Sequence, residues 1–256
     1  MKSKRVLLGW LLPALIAVEI AGPLPSGAQT PAVEPEAVQA LRRATDYLAG
    51  LKQFRAEMDT VIEFVLPDGQ KLQNGHRVSV AVQRPNKLRA ERVGDIVDQV
   101  FTYDGTSLSI DLHKAKYYAT VAAPPTLEEM LDFAREKLDV IAPASDLIYK
   151  NAFERLTDGL TSAFVVGPAS IAGVACDQLA FRNEEVDWQI WIERGKEPLV
   201  RKYVITSKKM PQSPQFMVVI SKWDTAPELA DAAFSFVPSE NSMKIDFMPA
   251  AAAGQN

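Results

Sequence analysis

HRVSVAVQRPNKLRAERVGDIVDQVFTY, residues 76–103, holds both the clearest strand pattern and the motif from which the rest of the chain is read. In an extended chain His76, Val78, Val80, Val82 and Arg84 share one face, while Arg77, Ser79, Ala81 and Gln83 share the other. The apolar face thus ends in a guanidinium. Pro85 has no N–H for a sheet ladder and holds Arg84 in extended geometry, so the strand stops there and a short turn leads into Lys87 to Val93.

Working outward, the period of two continues on both sides. Ala56, Met58, Thr60, Ile62, Phe64 and Leu66 alternate with Glu57, Asp59, Val61, Glu63 and Val65, and Asp68-Gly69 turns the chain back into Leu72 to Arg84. Val97 to Tyr103, a turn at Asp104-Gly105, Ser107 to Leu112 and Tyr117 to Val121 extend this into an antiparallel meander. Such a sheet twists and curls, giving it a concave apolar side. Strands resume at Thr161 to Val166, Val174 to Phe181, Val186 to Glu193, Leu199 to Thr206 and Gln215 to Trp223, and Ala232 to Val237 with Met243, Ile245 and Phe247 reads as a closing strand pair.

Helical spacing occurs in three places. Glu36 to Leu51 carries Val38, Leu41, Thr45 and Leu48 on one stripe. After Pro124-Pro125, the cap signal Thr126-Leu127-Glu128-Glu129 opens a helix striped by Leu127, Met130, Leu131, Ala134, Leu138 and Ile141. Pro143 ends it, and Ser145 or Asp146 starts another striped by Tyr149, Ala152, Phe153 and Leu156. Two amphipathic helices between two runs of strands must bury their stripes on the sheet, on each other or on a ligand.

The chain has 256 residues, 47% hydrophobic and 23% charged, enough for one large β-rich domain with a real core. Lys2, Lys4 and Arg5 precede an apolar run from Val6 to Ala21, and Ser26-Gly27-Ala28 offers a cleavage site, so residues 1–28 read as an export signal and 29–35 as a linker. The folded domain is expected over 36–248, with a loose tail at 249–256, and a location in the periplasm follows. The formal charge of −4 becomes more negative without that signal, and no long basic run follows it, which argues against nucleic acid as a partner. The single Cys176 permits no internal disulfide and is most simply a small core residue.

The run Arg84-Pro85-Asn86-Lys87-Leu88-Arg89, then Tyr103-Asp104-Gly105 with Leu108, the two-helix insert near Pro125 to Leu156 and the closing Ala232-Ala233-Phe234-Ser235-Phe236-Val237-Pro238 resemble, in this order, the LolA/LolB-like lipoprotein carriers. More closely they resemble a family of predicted periplasmic proteins, DUF2092, related to those carriers. The resemblance implies an α+β, mainly β fold: a curved antiparallel half-barrel covered by an N-terminal helix and two inserted lid helices. It also implies that Arg84, by position, lies inside the cavity and latches the lid through hydrogen bonds to lid backbone.

On that resemblance Met58, Ile62, Phe64, Val78, Val80, Val82, Phe101, Leu108, Ile110, Met130, Leu131, Leu138, Trp188 and Phe216 would line a cavity for the acyl chains of lipids or lipoproteins. Taken singly, each is more simply a dry-core residue, and Arg84 an arginine snorkelling at a sheet edge or paired with an acidic side chain. At ~0.8 kcal/mol per buried methylene, a chain of about sixteen carbons would contribute on the order of 10 kcal/mol before binding costs. Partners would then be acyl chains and the inner- or outer-membrane proteins that handle lipoproteins, with the protein a monomer that needs no cofactor. His76 and His113, the only histidines, lie near strand ends and read as surface or edge residues without a second ligand at metal spacing. With no hydrolase elbow, phosphate loop or dinucleotide fingerprint, no enzymatic activity is expected. The alternative from another class is an envelope sensor or scaffold that recognises a protein or polymer over a filled core.

Overall fold

The computed structural model describes residues 33–140 and 142–247. The expected signal, most of the linker, the tail and Ile141 lie outside these residues. Helix α1 (Pro35–Gly50) is followed by strands β1 (Gln53–Val65), β2 (Lys71–Gln83), β3 (Lys87–Gly94), β4 (Asp98–Tyr103), β5 (Ser107–Leu112) and β6 (Tyr117–Ala122). The insert holds α2 (Leu127–Leu138), a 3-10 turn at Ser145–Ile148 and α3 (Ala152–Thr157). Then come β7 (Ser162–Ile171), β8 (Val174–Arg182), β9 (Val186–Glu193), β10 (Val200–Ser207), β11 (Gln215–Asp224) and the two-residue β12 (Met243–Lys244).

All twelve strands belong to one open sheet in the order β12-β6-β5-β4-β3-β2-β1-β11-β10-β9-β8-β7. Every pair is antiparallel except β12 beside β6. This order explains the insert. The chain leaves β6 near one edge of the sheet and re-enters at β7 on the other edge, so residues 123–161 have to cross a face of the curved sheet. Because β1 pairs with both β2 and β11, the two meanders join through the strand that directly follows α1.

Two apolar clusters sit on the inner face. Ala37, Leu41, Ala44 and Leu48 of α1 pack on Leu179, Ile190, Tyr203, Val218 and Ile220, with Phe153 and Leu156 of α3 closing the side. Alanines in the stripe let the helix come close to the strands. Leu127, Met130 and Ala134 of α2 pack on Phe54, Val82, Leu88, Tyr103 and Leu108. Leu127 and Met130 are almost wholly buried, and each contributes roughly 1.5–3 kcal/mol relative to an exposed side chain. A small third cluster of Cys176, Trp191 and Val204 lies on the outer face, where alternation along β8 puts Cys176 opposite Leu179.

Three expectations are corrected. The second inserted helix is a 3-10 turn plus a six-residue α3, since Tyr149 leaves the turn with extended backbone and interrupts the helical run. The closing strand pair is instead a 3-10 turn, Asp231–Phe234, and the single short strand β12. That segment runs over the outer face of β3 to β6: Phe234 is buried, Ser239 N–H donates to Asp111 Oδ2 at 2.8 Å, and Met243 pairs with Tyr117. Lastly, His76 is buried at 4% exposure rather than lying at the surface, because it faces inward opposite Gly94, whose missing side chain leaves room for the ring.

Candidate functional site

Strand register places the expected cavity residues of the sheet on one face. Along β1, Phe54, Ala56, Met58, Thr60, Ile62 and Phe64 pair in turn with Val82, Val80, Val78, His76, Asn74 and Leu72 of β2. Val82 pairs with Leu88, Leu88 with Tyr103 and Tyr103 with Leu108; one row further on, Val80 pairs with Ala90, Ala90 with Phe101 and Phe101 with Ile110. Ile62 pairs with Phe216, Phe216 with Ile205 and Ile205 with Trp188. These rows form the inner face that α1 and the insert cover in part.

Coverage is uneven. Val82, Leu108, Met130 and Trp188 are packed into core, Trp188 stacked on Phe181 with ring centroids 3.9 Å apart. Met58, Ile62, Val78, Val80, Phe101, Ile110, Leu131, Leu138 and Phe216 are half-buried, and Phe64 at the far end of β1 is 45% exposed. The insert therefore sits on a filled apolar layer, beyond which an apolar strip of the same face continues toward solvent. A groove of about 540 Å³ lies against Thr60 and His76 of these rows together with Asp59, Val61, Gly75, Arg77 and Val93.

Arg84 stands at the end of the inner row of β2, and its side chain is only 6% exposed. Nη2 donates to the carbonyl of Ile148, the last residue of the 3-10 turn, at 2.6 Å, and Nη1 lies 3.5 Å from Glu128 Oε1 of α2. Glu128 Oε1 also accepts from Lys150 N–H at 3.2 Å, so one carboxylate joins the guanidinium to backbone on the far side of the insert. Burial pulls the Arg84 pKa down and Glu128 pushes it back up; the group is a cation held by one carbonyl and one carboxylate, and its Nε lacks a partner among the described residues.

The neighbouring motif residues brace this arrangement. Pro85 carbonyl accepts from Leu127 N–H at 3.0 Å, at the start of α2. Thr126 caps that helix, accepting from Glu129 N–H at 3.2 Å. Gly105, with φ +99°, lies so close to Asn86 that a Cβ there would stand 2.5 Å from Nδ2. The Arg-Pro-Asn and Tyr-Asp-Gly motifs, nineteen residues apart, are thus one packed unit. Tyr103 donates its hydroxyl to the Pro124 carbonyl, and burial together with Asp104 and Glu129 pushes its pKa up to about 12. Within the insert, Asp132 Oδ1 accepts from Tyr149 at 3.0 Å and from Arg155 at 2.9 Å, linking α2 to α3.

A family model described as predicted periplasmic protein (DUF2092) matches residues 37–248. The chain belongs to this family. No curated protein matches it. Among solved structures it is similar to an uncharacterized conserved protein from Thermus thermophilus, at 9% identity and a TM-score of 0.49, over 82% of this chain and 99% of that one. It is also similar to LprF from Mycobacterium bovis, at 13% identity and 0.49, over 84% and 100%. The MucA/MucB complex of Pseudomonas aeruginosa matches at 13% identity and 0.44, over 79% of this chain and 61% of the other.

Among the described residues no three or more histidine, cysteine or acidic side chains cluster closely enough to hold a metal, and no described helix is long and apolar enough to cross a membrane. His113 is exposed, with Nδ1 2.9 Å from Asp98 Oδ1. Sequence reasoning missed the pairing of His76 with Arg92, whose Nη2 donates to His76 Nε2 at 3.1 Å. The signal was present: Arg92 and Val78 share the inner face once β2 and β3 are set in register. Burial, and then the Arg92 charge, lowers the His76 pKa below its ordinary 6.5, against a smaller opposing effect of Asp95. The native state therefore binds fewer protons than the unfolded chain, and this contribution, fully present above about 6.5, is lost as pH falls below it. Stability measured by denaturant midpoint is expected to decline from pH 7 to 5, and to decline less in His76→Gln; equal slopes would refute the assignment.

Proposed function

We propose that this protein binds the acyl chains of a lipid or lipoprotein in the periplasm, on the inner face of the half-barrel, with the insert as a lid and Arg84 as its latch. The observation that carries the reading is the buried guanidinium: a single side chain at the end of β2 holds the insert at two points, the Ile148 carbonyl and Glu128. A latch of this kind is broken by swinging the insert outward, which exposes the layer of Phe54, Val82, Leu88 and Leu108 and joins it to the half-exposed strip of Met58, Val78, Val80, Phe101 and Ile110. The family's description as periplasmic supports the location. Carriage and storage of the chain both fit this geometry; neither needs a catalytic group.

The test is mass spectrometry of an organic extract from protein purified out of a bacterial periplasm without detergent. A phospholipid or acylated peptide at near one molecule per protein is expected, and an extract without lipid would sink the reading. The second reading, a sensor or scaffold for an envelope protein or polymer, is favoured by one observation: beneath α2 the layer is tightly filled, with Tyr103, Leu127 and Met130 at 0–2% exposure. A lipid-free extract would favour it.

A further inference from the structure

Arg92 lies on the same inner face as Arg84, three strand rows deeper: Val82, Val80 and Val78 of β2 pair with Leu88, Ala90 and Arg92 of β3. Its cross-strand neighbours are Val78 of β2 on one side and Gln99 of β4 on the other. Val78 pairs in turn with Met58, and among the described residues no carboxylate stands within ion-pair distance of the Arg92 guanidinium. A half-buried cation without a counter-ion is costly unless something supplies the missing charge.

The hydrogen-bonding inventory points the same way. An arginine only donates, so the 3.1 Å contact from Arg92 Nη2 makes His76 Nε2 the acceptor and places the imidazole proton on Nδ1. Among the described residues that buried Nδ1–H has no partner, and neither does the buried Nε–H of Arg92. A donor without an acceptor and a charge without a counter-ion, beside a histidine that is 4% exposed, are what an oxyanion would satisfy at Arg92. Gly94 keeps the arrangement in place: a Cβ there would stand 2.6 Å from His76 Cδ2, so the ring rests against bare backbone. The nearby acidic group is Asp95, which interacts with His76 at longer range and makes no hydrogen bond to either side chain among the described residues.

We propose that Arg92 and His76 form an anion subsite on the inner face, which takes the carboxylate or phosphate of an amphiphile whose chain lies along Val78, Val80, Met58 and Phe101. Arg92 supplies the charge and its Nε–H a donor to the oxyanion. The inference rests on the acyl-chain reading above and adds to it a preference for acidic over neutral ligands. An acid headgroup here leaves the chain on the apolar rows and the Arg84 latch free to open and close.

The experiment uses cis-parinaric acid and its methyl ester as fluorescent probes on the whole exported protein. About tenfold tighter binding of the acid is expected, the size of one charge-assisted hydrogen bond. Arg92→Met is expected to bring the ratio of the two affinities to about one, and Arg92→Lys, which keeps the charge and serves as the folding control, to keep part of it. An unchanged ratio in Arg92→Met overturns the subsite and leaves the acyl-chain reading standing. Failure of both probes to bind the unaltered protein overturns that reading and the subsite together. Inorganic phosphate supplies a further arm. Displacement of the acid but not the ester supports the subsite with a free anion as its occupant; acid binding that resists phosphate supports the headgroup.

Discussion

Arg84→Leu is expected to destabilise the ligand-free protein and, at the same time, to strengthen its hold on an acyl chain. Leucine fills the volume of the arginine stem but cannot donate to the Ile148 carbonyl, and it leaves Glu128 facing an apolar side chain. Hydrogen bonds of a charged group contribute about 1.5–3 kcal/mol each, so a loss of about 2 kcal/mol in the closed, empty state is expected. The empty closed state is the one that competes with ligand. Weakening it by about 2 kcal/mol raises apparent ligand affinity roughly 30-fold, provided the bound state has already given up the latch. The two effects have opposite sign, which makes the prediction sharp. Denaturant midpoints without ligand should fall while dissociation of a fluorescent fatty acid slows. A variant that loses both stability and affinity would show Arg84 to be only a structural residue, and the latch would be abandoned.

Gly105→Ala should be the most damaging single change outside the apolar core. The backbone at φ +99° is one that alanine adopts only at a cost of about 1–2 kcal/mol. The added methyl would also stand 2.5 Å from Nδ2 and 3.0 Å from Cγ of Asn86, and 3.4 Å from the Asn86 carbonyl oxygen. The Asn86 amide can turn aside, but only by leaving its place in the turn that carries Arg84. A total loss of about 2–4 kcal/mol is expected, or a melting point lower by roughly 5–15 °C in a domain of this size. Adding Asn86→Ala should recover the part due to the clash and none of the part due to φ. A loss below about 0.5 kcal/mol in the single variant would refute the close packing of the two motifs.

The sequence was most legible where a short-range rule applied. Alternation along Ala56 to Leu66 and Val78 to Arg84 put the right residues on the inner face, because strand geometry fixes side-chain direction with a period of two. Thr126 marked the start of α2 through its capping role, and Asp104-Gly105 the turn between β4 and β5. Legibility failed at Ser145 to Leu156, where the apolar spacing continues but the backbone at Tyr149 turns extended to bring Ile148 against Arg84. It failed again after Ala232, where an apolar stretch that alternates like a strand instead folds across the outer face, held by Asp111 and by Lys87 with Asp231.

The sequence by itself determined the mainly β class, the inner and outer faces of the strands, the place of the insert and the motif that carries Arg84, all of which depend on neighbours within a few positions. Only the tertiary structure decided that β1 lies between β2 and β11, that the insert crosses from one sheet edge to the other, and that Arg84 meets Ile148 and Glu128. It also decided that His76 is buried against Arg92 rather than exposed. The physical reason is register. Which residues meet across a sheet depends on pairings between strands as far apart as β1 and β11, and these are settled by the packing of whole faces against α1 and the insert rather than by any local pattern.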